Sequence, residues 1–278
     1  MGRGEHPRLS VWCYRLGATL IDAGTVSALE AFLPVLLADG PVRHIYLTHH
    51  HEDHSGGVVR VRDLTGAHIT VSQFAAPLLR GGFRLHLYQQ FYWGRFAPFE
   101  PDETLQLPPL GALPWSTPDG DFVLLHAPGH SHDMTVVWDA ARGALFAADL
   151  YLAARLKLMR RDEVWSALQA SLARLLDQTE FDALYCAHRP VLSGGFVALQ
   201  KKHAWMLESR EHLEAERAAG KRVTEAAETV FDRSNRVLER VSFGDLSRGN
   251  MAASALGDLK PRPDVVGAVG DAVARCRF

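Results

Sequence analysis

Three observations predict an α/β fold. Short apolar runs rich in β-branched and aromatic residues alternate with amphipathic stretches of helical period up to about residue 200. A run dense in imidazoles and acids, Thr48-His49-His50-His51-Glu52-Asp53-His54-Ser55-Gly56-Gly57, falls between one such strand and the helix after it. Three later strands end in His or Asp, at His130, Asp149 and His188. Open sheets place ligand sites outside strand ends, and packing alone does not account for that recurrence.

Leu9–Tyr14 and Ala18–Ile21 read as two short strands joined by Arg15-Leu16-Gly17, the second ending in Asp22-Ala23-Gly24. Ser27 with Glu30 has the capping-box spacing, and Ala28, Leu29, Phe32, Leu33, Leu36 and Leu37 continue as a helical stripe. Gly40-Pro41 stops it, and Val42–Leu47 reads as a buried strand leading into the histidine-rich loop. Ser55 is the expected N-cap of the next helix. Ala67–Val71 is a strand, and Ser72 caps a short helix to Arg80. From Leu85 to Phe99 aromatic residues crowd, with Tyr88, Tyr92 and Phe96 spaced by four on one helical face. That segment is either a helix packed on the core or a lid over a pocket. Pro101–Gly120 reads as a loop.

Strands follow at Phe122–His126, Met134–Trp138, Ala144–Ala147 and Ala183–Ala187, with a helix capped by Asp162 before the last. Its apolar side carries Val164, Leu168, Leu172, Leu175 and Leu176. Past Gly194-Gly195 the chain turns helical and charged: Phe196–Gly220, then a helix capped by Thr224 through Arg240, then a short one from Ser247. Lys260-Pro261-Arg262-Pro263 breaks the pattern before a terminal helix. The division expected is a core at residues 1–200 and a helical extension at 201–278.

The 278 residues include 47% hydrophobic and 22% charged side chains, enough for a sizeable core. A net charge of -2 argues against a general nucleic-acid binder. Cys13, Cys186 and Cys276 form neither a zinc-knuckle spacing nor a disulfide framework, which suits a reducing cytoplasm. Met1–Ser10 contains no apolar export segment, and no run approaches the ~18 apolar residues of a membrane span.

On a short turn His49, His51, Asp53 and His54 can converge on one point, and neutral imidazoles with a carboxylate are ligands that zinc prefers. The ordered set Leu20-Ile21-Asp22-Ala23-Gly24, His49-x-His51-x-Asp53-His54, Pro128-Gly129-His130, Asp149 and His188 resembles the metallo-β-lactamase superfamily over about residues 9–200. The resemblance implies an αββα sandwich, here with a C-terminal helical extension. It further implies that His49, His51 and His130 hold one divalent metal and that Asp53, His54 and His188 hold a second. Asp149 would bridge the two, and Asp22 would orient a ligand. Zinc is the first expectation, and the same ligands accept manganese or iron. The implied chemistry is a metal-bridging hydroxide that attacks a carbonyl or phosphoryl centre, with Asp53 and Asp149 handling the proton. His50 and His132 receive no role from the motif.

The family spans several substrates. Where glyoxalase II-type thioesterases resemble one another in a Gly-Cys-Gly-Arg-Phe-Phe-type run, this chain reads Leu150-Tyr151-Leu152-Ala153-Ala154-Arg155. Its last ligand sits in Ala187-His188-Arg189-Pro190 rather than Gly-His-Glu-Tyr, which argues against a true glyoxalase II. Arg155 and Lys157, with Arg160 and Arg161, form a group that either binds an anion or leads, solvated, into the next helix. With the aromatic segment that carries Tyr88 and Tyr92 they point to a medium-sized organic anion with an apolar part. The expectation is hydrolysis of a carboxylic ester, thioester or lactone. The alternatives are phosphodiester cleavage and a mononuclear iron persulfide dioxygenase-like activity. A homo-oligomer formed through the helical extension is a further expectation.

Overall fold

The computed structural model describes residues 11–231 and 236–259. The start of the first expected strand, the Lys260–Pro263 break, the terminal helix and Cys276 lie outside those residues. The elements in chain order are β1 (Tyr14–Leu16), β2 (Thr19–Ile21), α1 (Leu29–Leu36), β3 (His44–Leu47), α2 (Glu52–Ser55), α3 (Val58–Thr65), β4 (His68–Ser72), α4 (Ala76–Gly81) and α5 (Leu87–Trp93). There follow β5 (Glu103–Leu105), β6 (Ala112–Thr117), β7 (Gly120–His126), β8 (Thr135–Asp139), β9 (Ala144–Ala148), β10 (Met159–Arg160), α6 (Trp165–Gln178) and β11 (Ala183–Cys186). The chain continues through α7 (Gly195–Ala218), α8 (Val223–Val230), α9 (Arg236–Val241), β12 (Leu246–Ser247) and α10 (Arg248–Ala255). None of the helices among the described residues is long and apolar enough to cross a membrane.

The chain divides into two compact units. The first gathers the chain to His126, Asp133–Leu152 and Thr179–Ala198, and it contains both large sheets. One sheet runs β1-β2-β3-β4-β5, parallel except for the β1–β2 hairpin. The other runs β11-β9-β8-β7-β6, antiparallel except for β11 with β9. Ile21 and Tyr46 from the first sheet pack with Trp115, Phe122, Leu124, Val137 and Phe146 of the second. The opposite face of the first sheet, with Leu20, Ile45, Leu47, Ile69 and Val71, is covered by Leu29, Leu33 and Leu36 of α1, Val58 and Val61 of α3, and Leu79 of α4. A parallel sheet buried on both faces explains why β3 and β4 lack the alternation of a half-exposed strand.

The second unit comprises Ala127–His132, Ala153–Gln178 and the chain from Leu199 onward. Within it β10 pairs antiparallel with β12. Trp165, fully buried at the start of α6, meets Trp205 of α7 at 5.6 Å and Phe231 at 6.3 Å between ring centres.

Several local expectations are overturned. Pro101–Gly120 contains β5 and β6, and Pro114 lies within β6. Proline is tolerated there because β6 is the edge of its sheet. The Ser27/Glu30 capping box does not form: Thr25 Oγ1 accepts the Ala28 N–H, Ser27 donates to the Tyr92 carbonyl, and Glu30 pairs with Arg60. Ser55 ends α2 instead of capping α3, donating to the carbonyls of His50 and His51. Asp162 pairs with Arg160 rather than capping α6. The helix expected from Thr224 to Arg240 stops at Val230, because Phe231 is extended. Ser247 does cap α10, accepting the Asn250 N–H at 3.0 Å.

The aromatic trio of Tyr14, Phe146 and Tyr185 holds three strands together, with ring centres 5.0–5.5 Å apart and Phe146 stacked on Tyr185. Phe146→Ala is expected to lower stability by about 3–5 kcal/mol, read as a fall in the urea midpoint at unchanged slope.

Candidate metal centre

The histidine-rich stretch is a bend through Thr48–His50 that runs into one helical turn, α2. His51 precedes α2, and Glu52, Asp53, His54 and Ser55 are all buried in it. The glycine pair behind it has a steric reason. The Gly57 N–H donates to the Gly24 carbonyl at 3.0 Å, and a Cβ on Gly57 would lie 2.3 Å from the Ala23 carbonyl oxygen. The turn therefore docks backbone to backbone against the end of β2, where Asp22 sits.

Asp22 adopts φ of +59°, a region that side chains rarely occupy and that persists where surroundings enforce it. Its Oδ1 accepts the Thr48 N–H at 2.9 Å, and its Oδ2 accepts His54 Nδ1–H at 2.7 Å. The Thr48 hydroxyl also donates to this carboxylate, at 2.9–3.0 Å. With its hydrogen so committed, Thr48 Oγ1 can only accept from His49 Nδ1, 3.1 Å away. One carboxylate thus sets both tautomers, directly for His54 and through Thr48 for His49. Each ring is left presenting Nε2 as a lone pair.

Four donors in the first unit converge: Asp53, His54, Asp149 and His188, with ligand atoms all within 4.8 Å of one another. His188 Nε2 lies 3.5 Å from Asp53 Oδ2 and 3.4 Å from Asp149 Oδ1, while His54 Nε2 lies 3.5 Å from Asp149 Oδ1. These spacings are long for direct hydrogen bonds and resemble the edges of a coordination shell built on ~2 Å bonds. Asp149 follows Ala148, whose φ of +44° turns the chain sharply at the end of β9. Next to this set, His49 Nε2 faces His51 Nδ1 at 3.1 Å, both rings buried. Two imidazoles and two carboxylates, three of them buried and His188 half-buried, fit a divalent metal.

The charges agree with that chemistry. Burial alone would lower His188, but Asp149 and Asp53 outweigh it and push the imidazole up to about 11. Burial likewise opposes a charge on His54, and Asp22, Asp53 and Asp149 overcome it, raising the group well above its ordinary value. Burial would raise Asp53, yet His54 and His188 hold it below the usual carboxylate range.

His50 points away from this set. Its N–H and Nδ1 engage the two oxygens of Asp133, each at 2.8 Å, and its ring meets Phe83 edge-on at 4.6 Å. Asp133 is fully buried, so His50 serves to pin the ligand turn to the start of β8. The one sign of Asp133 in the sequence is its place shortly after His130. Gln89 Nε2 donates to Glu52 Oε1 at 2.8 Å, both buried, which fastens α5 to the same turn.

The helix expected over Leu85–Phe99 is shorter than that span. It ends at Gly94, so Phe96 leaves the face of Tyr88 and Tyr92 and packs on the first sheet's outer core. Tyr88 is half-buried and Tyr92 is exposed. His130 and His132 lie on the second unit's Ala127–His132 loop, and Arg155 and Lys157 are exposed in that unit. Arg160 is committed to Asp162 and Asp245, at 3.2 and 3.8 Å. Cys186 is a buried strand residue, its thiol raised by burial.

Asp22→Asn keeps the size and the tolerance of left-handed backbone but removes the charge that fixes His54. Zinc affinity at the Asp53–His54–Asp149–His188 set should fall about 10–100-fold in a chelator competition assay. Ligation also requires neutral imidazoles, whereas the neighbouring carboxylates shift both His54 and His188 towards the protonated form. Zinc added to chelator-stripped protein should therefore release protons, and its apparent affinity should rise with pH from the ordinary histidine range towards about 11, where His188 loses its proton. An indicator dye in weak buffer reports that release, and a pH-independent affinity would contradict the assignment.

A sequence model described as the metallo-beta-lactamase superfamily matches residues 6–218. The hydroxyacylglutathione hydrolase of Pseudomonas putida (strain W619) is 30% identical over 176 residues, covering 63% of this chain and 58% of that protein. The protein of that name from Pseudomonas paraeruginosa is 27% identical over 181 residues, covering 65% and 60%. The chain thus spans well under two thirds of the length of these relatives. Among solved structures, the metallo-beta-lactamase family protein TTHA1429 from Thermus thermophilus aligns at TM-score 0.58 and 21% identity, over 86% of this chain and 84% of that one. TTHA1623, solved in a di-iron-bound form, aligns at TM-score 0.51 and 25% identity, over 70% and 94%. With sheets, layers and ligand turn all of that kind, the chain belongs to the metallo-β-lactamase superfamily and has its αββα fold.

Proposed function

We propose that the protein is a dinuclear metal hydrolase that cleaves a thioester, with carboxylic esters and lactones as the related substrates. The observation that carries this reading is the converging set Asp53, His54, Asp149 and His188, with Asp22 holding His54 in the ligating tautomer. Names of relatives support the thioester: two matching Pseudomonas proteins are hydroxyacylglutathione hydrolases. The di-iron form of TTHA1623 supports the pair of metals.

In this reading His49, His51 and His130 would hold one ion and Asp53, His54, His188 and Asp149 would hold the other. A divalent pair held there, zinc before manganese or iron, would supply a Lewis acid for the scissile carbonyl and an activated water. Asp53 or Asp149 would accept the proton lost as water adds and return that same proton to the leaving group as its bond to the carbonyl carbon breaks. Burial of these groups excludes bulk water and strengthens each interaction in the site. Arg155 and Lys157 would take the anionic end of the substrate, and the Tyr88–Tyr92 side of α5 its apolar part.

The test is a panel of thioesters, lactones, carboxylic esters and phosphodiesters, run on stripped protein reloaded with zinc, manganese or iron. Chelator-sensitive thioester hydrolysis is expected, falling about 10²–10⁴-fold in Asp149→Ala. Chelator-sensitive cleavage of phosphodiesters alone, or oxygen consumption with a single bound iron, would replace the hydrolase reading.

A further inference from the structure

Glu163 is a buried acid, 4% exposed, with no part in the reaction proposed above. Burying a carboxylate is costly without partners. Its Oε1 accepts the Arg160 N–H at 3.3 Å and lies 3.5 Å from Nδ1 of His130. Glu163 and His130 both belong to the second unit, and several independent contacts fix one relative to the other.

The His130 loop is fastened to α6. The Val164 N–H donates to the Gly129 carbonyl at 2.8 Å, and the Ser171 hydroxyl donates to the Pro128 carbonyl at 2.8 Å. Gly129 has φ of +143°, and a Cβ there would lie 2.4 Å from Leu168 Cα, so only glycine allows this approach. Glu163 is fastened from the other side. Ser254 of α10 donates to the Glu163 carbonyl at 3.0 Å and accepts the Trp165 N–H at 2.9 Å. Trp165 is itself locked among Trp205 and Phe231.

We propose that Glu163 is the positioning residue for His130, engaging Nδ1 so that Nε2 is turned out as a ligand atom. The inference rests on the reading of His130 as a metal ligand. A ligating histidine commonly gives its other N–H to a carboxylate, which fixes ring and tautomer and raises ligand basicity. Asp22 does this for His54 in the first unit at 2.7 Å, and Glu163, at an ion-pair distance of 3.5 Å from Nδ1, is the carboxylate placed to do it for His130 in the second. The C-terminal helices thereby gain a role: through Ser254, α10 holds the backbone that carries Glu163.

The experiment is zinc titration of the stripped full-length protein against a chromophoric chelator, with the cobalt(II)-loaded visible spectrum as a second readout. Wild type is compared with Glu163→Ala and Glu163→Gln. Glu163→Ala should weaken one of two zinc affinities about 10–100-fold, leave the other unchanged and alter the cobalt spectrum. Glu163→Gln keeps an acceptor for the Arg160 N–H, so it should keep the wild-type melting temperature and recover part of the lost affinity. Two affinities within about twofold of wild type in Glu163→Ala would overturn the role of Glu163 and leave the metal reading standing. So would equal weakening of both sites in step with a lower melting temperature in both variants. Absence of zinc binding by wild type would overturn the parent reading, and this one with it.

Discussion

The Asp22 carboxylate is the constraint on which the ligand turn depends. It receives His54 directly and His49 by way of the Thr48 hydroxyl, so a single buried charge decides which nitrogen each imidazole offers. Such a carboxylate can serve only if the turn cannot drift away from β2. Gly57 secures that, because any side chain would separate the two backbones. Asp22 itself lies in left-handed backbone at the strand end. Local strain there coexists with three strong hydrogen-bonding partners that over-determine its position.

The parallel arrangement of β2, β3 and β4 explains why acids and histidines gather at one end. Parallel neighbours present their C-terminal ends together, so Asp22 after β2 and the turn after β3 are adjacent without any long-range device. In the second sheet β9 and β11 are also parallel, which brings Asp149 and His188 side by side. The inter-sheet core of Tyr46, Trp115, Phe122 and Phe146 fixes the two strand-end groups with respect to each other. Packing between the sheets is therefore a condition of the chemistry as well as of stability.

The candidate ligand stretch His49–His54 was legible in the sequence because coordination chemistry demands particular residue types at short spacing, and no packing role requires them. Strands with β-branched and aromatic runs, such as β3, β4 and β8, were legible for the same reason: their composition has one use. Capping was less legible. Ser27, Ser55 and Asp162 all had the right chemistry for N-caps, yet each found another partner in the tertiary structure. A cap is worth only about 1 kcal/mol, so a competing buried contact displaces it. Strand β6 was hidden by its proline, which an edge position tolerates. Glu163 gave no signal at all, since its partner His130 is distant along the chain and only the fold brings them together.

The segment hardest to read was α5, because its amphipathy is inverted. Leu87 and Phe91, one helical turn apart, are 77% and 84% exposed, while Gln89 on the other side is buried. A pattern-based reading turns apolar residues inward, and here a polar anchor reverses the helix. The Gln89 amide holds Glu52, the residue between His51 and Asp53, and Phe83 meets His50 edge-on. The buried amide–carboxylate bond replaces the hydration that both groups lose, and that sets the orientation against the hydrophobic preference. Exposed aromatic and aliphatic side chains on a helix fastened to the ligand turn are a poor solution for solubility. An exposed apolar patch on a soluble protein marks a surface used for binding more often than one left to water.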